Sequence, residues 1–94
     1  MTLRIDERSD AQRTVLCLSG RIRSEHLEAL RAGIGAGAAK TALDLHDVTL
    51  VDVEAVRFLD ACEAEGTELR HCSSYIRDWI LREREARRRE AEKT

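Results

Sequence analysis

The sequence predicts an α/β domain built on a small mixed β-sheet of about four strands, with about three helices. Two observations support this prediction. Apolar residues alternate with polar ones, or run continuously, over short segments at positions 3–5, 15–18, 42–51 and 69–72, which is typical of strands. Between several of these segments, apolar residues recur every three to four positions, which is typical of helices packed on a sheet.

Length and composition limit the possible classes of protein. The 94 residues suffice for a single domain, residues 1–94, whose core must consist mainly of Leu, Val and Ile because only 3% of the residues are aromatic. The formal net charge of -2 offers no overall basic field to nucleic acid or to an anionic membrane. No segment resembles a membrane span or a signal peptide, and three widely spaced cysteines form no disulfide framework. We therefore expect a cytoplasmic protein without direct membrane insertion.

The first two strands are predicted to pair antiparallel. Leu3 and Ile5 alternate with charged residues, which indicates an edge strand with one wet face. The run 15–18 is apolar at every position, which indicates a more central strand. A polar link joins the two, and Gly20 is predicted to end the second strand.

The first helix is predicted to begin at Ser24, because a serine hydroxyl can accept a hydrogen bond from the first turn. Leu27, Leu30 and Ile34 share one face of this helix and should form its buried stripe. We place the end of the helix near Ala36, since glycines become frequent there and weaken a helix relative to alanine.

The rest of the chain is organised around the segment 41–59, which reads TALDLHDVTLVDVEAVRFL. The pattern predicts a short apolar strand, a polar turn at His46 and Asp47, and a second apolar run that leads to Asp52. From Asp52 onward the apolar period is that of a helix. The predicted order is therefore strand, loop and helix.

Several signals define this central helix. Asp52 suits the N-cap because its carboxylate can accept an amide hydrogen bond and its charge suits the positive end of the helix dipole. Val51 and Val56 have the spacing of a hydrophobic staple. Gly66 is the predicted stop, and the segment 69–72 should form a further strand parallel to the one before the helix.

The last helix is predicted to begin at Ser73 or Ser74, and Ile76, Trp79 and Ile80 should dock one of its faces. Tryptophan at this spacing usually belongs to a core, but an exposed edge would make it an interface anchor. The sequence leaves these two possibilities open.

The tail 82–94 contains no residue that is both larger and more apolar than alanine. Its arginines and glutamates alternate at distances that allow salt bridges within a helix, so we expect a solvated helix whose end frays. The basic run 87–89 is flanked by glutamates and lacks aromatic residues for base stacking, which argues against nucleic-acid binding.

The segment 44–59 resembles the STAS domain, the fold of bacterial anti-sigma-factor antagonists. The typical wording of that family is close to DLSGVTFIDSSGLxxL, and this chain reads DLHDVTLVDVEAVRFL. The upstream VLCLSGRI is also similar to the opening of the family. The resemblance extends from about Thr14 to about Arg70 and implies a STAS-like sheet order.

The chain departs from that family at the phosphorylation site. The resemblance places the family's phosphoacceptor serine at Glu54, the preceding serine at Val53 and the following glycine at Ala55, while Asp52 is retained. Because glutamate cannot be phosphorylated, the usual switch is not expected. The Glu54 carboxylate either imitates part of the charge of a phosphoserine or simply suits the positive end of the helix.

The resemblance also implies a binding surface, because in the family the loop before the central helix and the first turns of that helix contact the partner. The implied partner-binding residues are His46, Asp47, Asp52, Val53, Glu54 and Ala55. The implied function is a non-enzymatic module that binds a protein partner, such as an anti-sigma factor with a kinase fold. The alternative is a cytoplasmic STAS-type structural subunit of a lipid or anion transport system, in which the tail could dock. Self-association remains open.

A third possibility is an acid-base or ligand site at Asp44, His46 and Asp52, near the end of a predicted parallel strand. Each of these residues also has a purely structural interpretation, in a strand end, a turn or a helix cap. No nucleophile lies beside a base in the sequence, so no enzyme activity is predicted.

No metal or cofactor is predicted either. Cys62, His71 and Cys72 lack the Cys-x-x-Cys or His-x-x-His spacing that begins local zinc sites. We interpret Cys17 and Cys62 as small apolar residues that fill a core.

Overall fold

The structure is a computed structural model that describes residues 3–10, 13–34 and 40–92. It confirms the predicted α/β class, with a four-stranded mixed sheet and three α-helices among these residues. In chain order the elements are β1 (Arg4–Asp10), β2 (Arg13–Ile22), α1 (Leu27–Ile34), β3 (Thr41–Val51), α2 (Val53–Ala64), β4 (Glu68–Arg70) and α3 (Ser74–Glu92). No helix in the described part of the chain is both long and apolar enough to cross a membrane.

The strands lie in the order β1-β2-β3-β4. The first pair is antiparallel, as predicted, and β3 is parallel to both β2 and β4. The strand, helix and strand predicted at the centre of the chain are therefore confirmed as a parallel β3-α2-β4 unit.

One continuous core holds the helices on the sheet. All three helices contribute to it, together with alternate side chains of β2 and β3, which places the helices on the same face of the sheet. The largest fully buried side chains of this core are Leu16, Leu18, Ile22, Leu30, Leu43, Leu45, Val56, Leu59, Ile76 and Ile80. The buried stripes predicted for the first and last helices lie in this core or pack against it.

The predicted turn at His46 and Asp47 is wrong, because β3 continues through both residues to Val51. The polar pattern instead marks an irregularity in the strand: one residue of β2 between Cys17 and Ser19 is matched by two residues of β3 between Asp44 and Asp47. The extra residue disturbs the alternation of side chains, which made the strand look interrupted in the sequence.

The predicted strand end at Gly20 is also wrong, because β2 continues to Ile22. Gly20 has a φ of 96°, a left-handed conformation that glycine adopts without strain. The register shifts directly after it, and the Thr49 hydroxyl donates a hydrogen bond to the Gly20 carbonyl oxygen at 3.1 Å. Gly20 therefore permits a second irregularity rather than a strand end.

The helix boundaries agree with the sequence at some positions and differ at others. Ser24 is not the cap of α1 but the first residue of a single 3-10 turn, 24–26, that precedes it. The predicted helix end near Ala36 lies outside the described residues. At the start of α3, the Ser73 hydroxyl accepts a hydrogen bond from the Ile76 amide at 3.3 Å, which selects Ser73 from the two predicted caps.

The predicted stop of α2 at Gly66 is confirmed. Gly66 has a φ of 104°, its amide donates to the Glu63 carbonyl at 3.1 Å, and the Thr67 amide donates to the Cys62 carbonyl at 3.0 Å. This pair of hydrogen bonds is the Schellman arrangement, which satisfies the carbonyls that the end of a helix leaves unpaired.

An ion-pair network that the sequence analysis missed joins α2 to α3. The Asp60 carboxylate accepts hydrogen bonds from Arg84, at 3.0 Å, and from Arg87, although only 3% of its side chain is exposed. Glu63 accepts two hydrogen bonds from Arg77, at 2.9 and 3.1 Å, and one from Arg84 at 2.9 Å. Parts of the tail that was predicted to be solvated therefore contact the preceding helix, which fixes the antiparallel alignment of the two.

This network makes the stability of the fold decrease as the pH falls into the acid range. Hydrogen bonds from Arg77 hold the pKa of the Glu63 carboxyl below its usual value; partial burial opposes this effect and Arg84 reinforces it. A carboxyl whose pKa falls on folding stabilises the fold above its unfolded pKa of about 4.3, and that contribution is lost as the pH falls through its folded pKa.

We therefore expect the Glu63→Gln variant, which lacks this titration, to lose less stability than the native chain as the pH falls below about 4.5. Urea unfolding at a series of pH values measures the difference. Parallel losses in the two proteins would show that Glu63 contributes nothing to the acid sensitivity.

Candidate functional site

The start of α2 is fixed by Asp52, which has extended backbone angles of φ -103° and ψ 177°. One of its carboxylate oxygens accepts a hydrogen bond from the Ala55 amide at 2.8 Å, which confirms the predicted cap. The other accepts from the Ser24 amide at 3.0 Å. Asp52 therefore links the connection after β2 to the beginning of α2.

Removing the Asp52 carboxylate is expected to lower the free energy of unfolding by more than removing an N-cap that accepts only one hydrogen bond. We expect Asp52→Ala to lower the free energy of unfolding by about 2 kcal/mol, at the upper end of the range for N-caps, because two amides lose their acceptor. Asp52→Asn keeps an acceptor oxygen and should lose distinctly less. Urea denaturation of both variants measures this order, and equal losses would mean that the charge matters rather than the hydrogen bonds.

Apolar side chains lie exposed around this cap. Leu50, near the end of β3, is 44% exposed, and Val53, the first residue of α2, is 37% exposed. Glu54 is exposed beside them, while Ala55 is fully buried. Of the predicted partner-binding residues at the start of α2, the side chains of Val53 and Glu54 are thus accessible and that of Ala55 is covered.

Glu54 lies at the edge of a charged row that continues onto α3. Arg57 approaches Glu54 at 3.5 Å and bonds Glu83 of α3 at 3.0 Å. The Glu83 carboxylate, aided by the charge of Glu54, raises the pKa of the Arg57 guanidinium above its usual value. Arg57 therefore stays fully charged and faces two carboxylates, so it only partly compensates Glu54.

The remaining predicted site residues lie elsewhere on β3. His46 Nδ1 is 3.0 Å from an Asp47 carboxylate oxygen, and both side chains are largely exposed. The Asp44 carboxylate accepts a hydrogen bond from the His46 amide at 3.0 Å and lies 3.0 Å from His71 Nδ1. The imidazole rings of His46 and His71 meet edge to face with their centroids 5.7 Å apart.

The charge of Asp44 is stabilised by these contacts. Burial alone would raise its pKa, but the hydrogen bonds from the His46 amide and the His71 ring outweigh burial and hold the pKa below its usual value. His71 also has a φ of 55°, a left-handed conformation that is uncommon outside glycine. The structure thus forms a compact group of two carboxylates and two imidazoles, in which His71 was not predicted.

The chemistry open to the cysteines is limited. Burial raises the pKa of the Cys62 thiol to about 11, so it is protonated at neutral pH and is a poor nucleophile. Burial also raises the pKa of the Cys72 thiol. Among residues 3–10, 13–34 and 40–92, no group of three or more His, Cys, Asp or Glu side chains could hold a metal ion.

Solved structures identify the fold. The chain is similar to the STAS domain of an antisigma-factor antagonist from Rhodobacter sphaeroides, with a TM-score of 0.55, 15% sequence identity, and coverage of 77% of this chain and 92% of that one. It is also similar to a structure described as Mglu, with a TM-score of 0.53 and 21% identity over 69% of this chain. An uncharacterized protein from Shewanella loihica with a SpoIIAA-like fold gives a TM-score of 0.44, 16% identity, and coverage of 71% and 61%.

The similarity to the Rhodobacter sphaeroides domain supports a STAS-like fold, in agreement with the predicted architecture. This chain spans only 18% of the length of the Mglu chain. No protein-family model and no curated protein sequence matches the chain. At these sequence identities, any function must be argued from the residues of this chain.

Proposed function

We propose that this protein is a non-enzymatic protein-protein interaction module of the anti-sigma-factor-antagonist type, and that the start of α2 contacts its partner. The observation that carries this proposal is the exposure of Leu50 and Val53 on either side of the rigid cap at Asp52. Large apolar side chains exposed close together are typical of surfaces that become buried in a complex. The Rhodobacter sphaeroides protein of similar fold is itself an antisigma-factor antagonist.

The proposed partner surface has an apolar centre and an acidic margin. Leu50 and Val53 supply the apolar area, Glu54 supplies a charge that Arg57 only partly compensates, and His46 and Asp47 lie farther back along β3. Such a surface suits a partner with an apolar patch bordered by basic residues.

A permanent carboxylate at position 54 makes the binding constitutive. We take position 54 as the equivalent of the phosphorylated serine of STAS domains, as the sequence resemblance implies, and a carboxylate carries less charge and fewer acceptor oxygens than a phosphate group. Binding therefore cannot be ended by phosphorylation of residue 54. In this proposal the complex is regulated by a route other than modification of residue 54, such as the amount of protein.

The experiment that tests the surface is a binding titration against each purified anti-sigma factor encoded by the same genome. We expect Leu50→Arg to weaken binding by about 10- to 100-fold, because one buried apolar side chain contributes about 1.5–3 kcal/mol and every 1.4 kcal/mol is tenfold in affinity. The matched control is Leu81→Arg, since Leu81 is equally exposed, at 46%, but lies on α3. Equal effects of the two variants, or no binding to any candidate, would refute the proposed surface.

Glu54→Ser separates the role of this position from the role of the apolar surface. We expect the variant to bind the same partner with altered affinity and to become a substrate if that partner is a kinase, as the STAS resemblance implies. Mass spectrometry after incubation with the partner and ATP detects the modification. An unchanged affinity without modification would show that Glu54 serves only the helix dipole.

A further inference from the structure

The outer edge of β1 is a seven-residue strand edge with a distinctive charge pattern. β1 lies at one end of the sheet and pairs with β2 along its whole length, so its other side is not covered by a strand of this sheet. Residues 4–9 are all exposed. An exposed strand edge of this length can pair with another strand.

The charges of β1 alternate on one face of the sheet. Ile5 lies opposite Leu18, a residue of the helix-covered core, so the even-numbered residues of β1 lie on the other face. Arg4 and Asp6 form an ion pair at 3.2 Å there, and Arg8 follows two positions later. The sequence of the strand, RIDERSD, thus places charges of alternating sign along one row.

We propose that two copies of this chain form a dimer by antiparallel pairing of their β1 strands about a two-fold axis at Glu7, which creates a continuous eight-stranded sheet. In this register Asp6 faces Arg8 of the partner subunit, and Arg8 faces the partner's Asp6. Opposite charges directly across two antiparallel strands stabilise their pairing.

The same pattern excludes the neighbouring registers. A shift of the axis to residue 6 places Arg4 opposite Arg8 of the partner subunit, and a shift to residue 8 places Arg8 opposite the partner's Arg8. Like charges directly opposite each other are destabilising. A slip of the pairing by one residue would put the facing side chains on opposite faces of the sheet, so among the registers centred on residues 6, 7 and 8 only the one centred on Glu7 pairs opposite charges.

The energetic balance predicts a modest affinity. Pairing of seven residues adds about six to eight backbone hydrogen bonds, and Ile5, which is 38% exposed, gains cover beside Ser9 of the partner subunit. Against this, Glu7 meets the partner's Glu7 at the axis. The dimer should therefore weaken at high salt, which screens the favourable pairs, and tighten in the Glu7→Gln variant.

Sedimentation velocity of the full chain at several concentrations in low salt tests this interface, which does not depend on the proposed function. We expect a monomer-dimer equilibrium that Glu7→Gln shifts towards dimer. Asp6→Arg and Arg8→Asp should each weaken the dimer at least tenfold, because each places like charges opposite each other. The double variant Asp6→Arg/Arg8→Asp restores opposite charges and should dimerise again.

Mixing the two single charge-reversal variants is the decisive test of the proposed dimer. When the Asp6→Arg and Arg8→Asp proteins are combined, both pairs between positions 6 and 8 become favourable, so we expect a heterodimer from two variants that are each mainly monomeric. The matched control is Asp78→Arg, a charge reversal at an exposed position of α3, which should dimerise like the native chain. Monomers at every concentration for both the native chain and Glu7→Gln, or a dimer that both reversals leave intact, would overturn the proposal.

Discussion

Replacing Arg84 and Arg87 together by methionine is expected to destabilise the fold by about 3–5 kcal/mol, the range for buried ion pairs that lose one partner. The reason is the position of Asp60, whose side chain is only 3% exposed and receives hydrogen bonds from both arginines. Without these partners, α2 carries a buried carboxylate with no counterion. Methionine keeps most of the side-chain length, so the lost charge dominates the effect.

The measurement is urea denaturation of three proteins: the double variant, Asp60→Leu, and the triple variant that combines all substitutions. Asp60→Leu alone should cost less than the double variant, because Arg84 and Arg87 are 36% and 61% exposed and can turn to water. The triple variant should recover most of the loss, since no buried charge remains. A triple variant as unstable as the double one would show that the arginines act by packing rather than by neutralising Asp60.

The dependence of the buried Asp60 carboxylate on Arg84 and Arg87 affects any experiment that removes the tail. A truncation after Leu81 would remove both partners of Asp60, so loss of partner binding in that truncated chain could reflect unfolding rather than a missing docking helix. The truncation becomes interpretable when it carries Asp60→Leu. Retained binding in such a chain would assign the contacts to the sheet and α2.

The parts of the fold that the sequence predicts are those governed by local chemistry. The cap at Asp52, the stop at Gly66 and the cap at Ser73 each depend on hydrogen bonds within a few residues. The error at His46 arose because an irregular strand and a loop both interrupt strict alternation. Only the register between β2 and β3, which is set over long sequence separations, distinguishes the two.

The positions of the candidate site residues in the fold were predictable in part for the same reason. The chain-local residues Asp52, Val53 and Glu54 do lie together at the start of α2. His71 lies against Asp44 because β3 and β4 are parallel neighbours, a relation across 27 positions that no local pattern contains. The sequence does not predict the ion pairs between Asp60 and the tail, because alternating arginine and glutamate are equally typical of a solvated helix.

The Leu59→Ala substitution in α2 is expected to destabilise the fold by about 2–5 kcal/mol, the range for removing a buried leucine. Leu59 has no exposed surface and lies in the continuous core between the helices and the sheet. Alanine is at least as favourable as leucine within a helix, so the loss reflects the cavity and the lost apolar contacts.

The matched control is Leu81→Ala, the same chemical change at a helical leucine that is 46% exposed. It should change the free energy of unfolding by less than about 1 kcal/mol, because little apolar area leaves the core and the helix propensity is retained. Urea denaturation, analysed with one common slope of unfolding free energy against urea concentration, compares the two variants directly. Similar losses would mean that the core does not depend on Leu59, and would contradict the packing of α2 against the sheet on which the proposed partner surface depends.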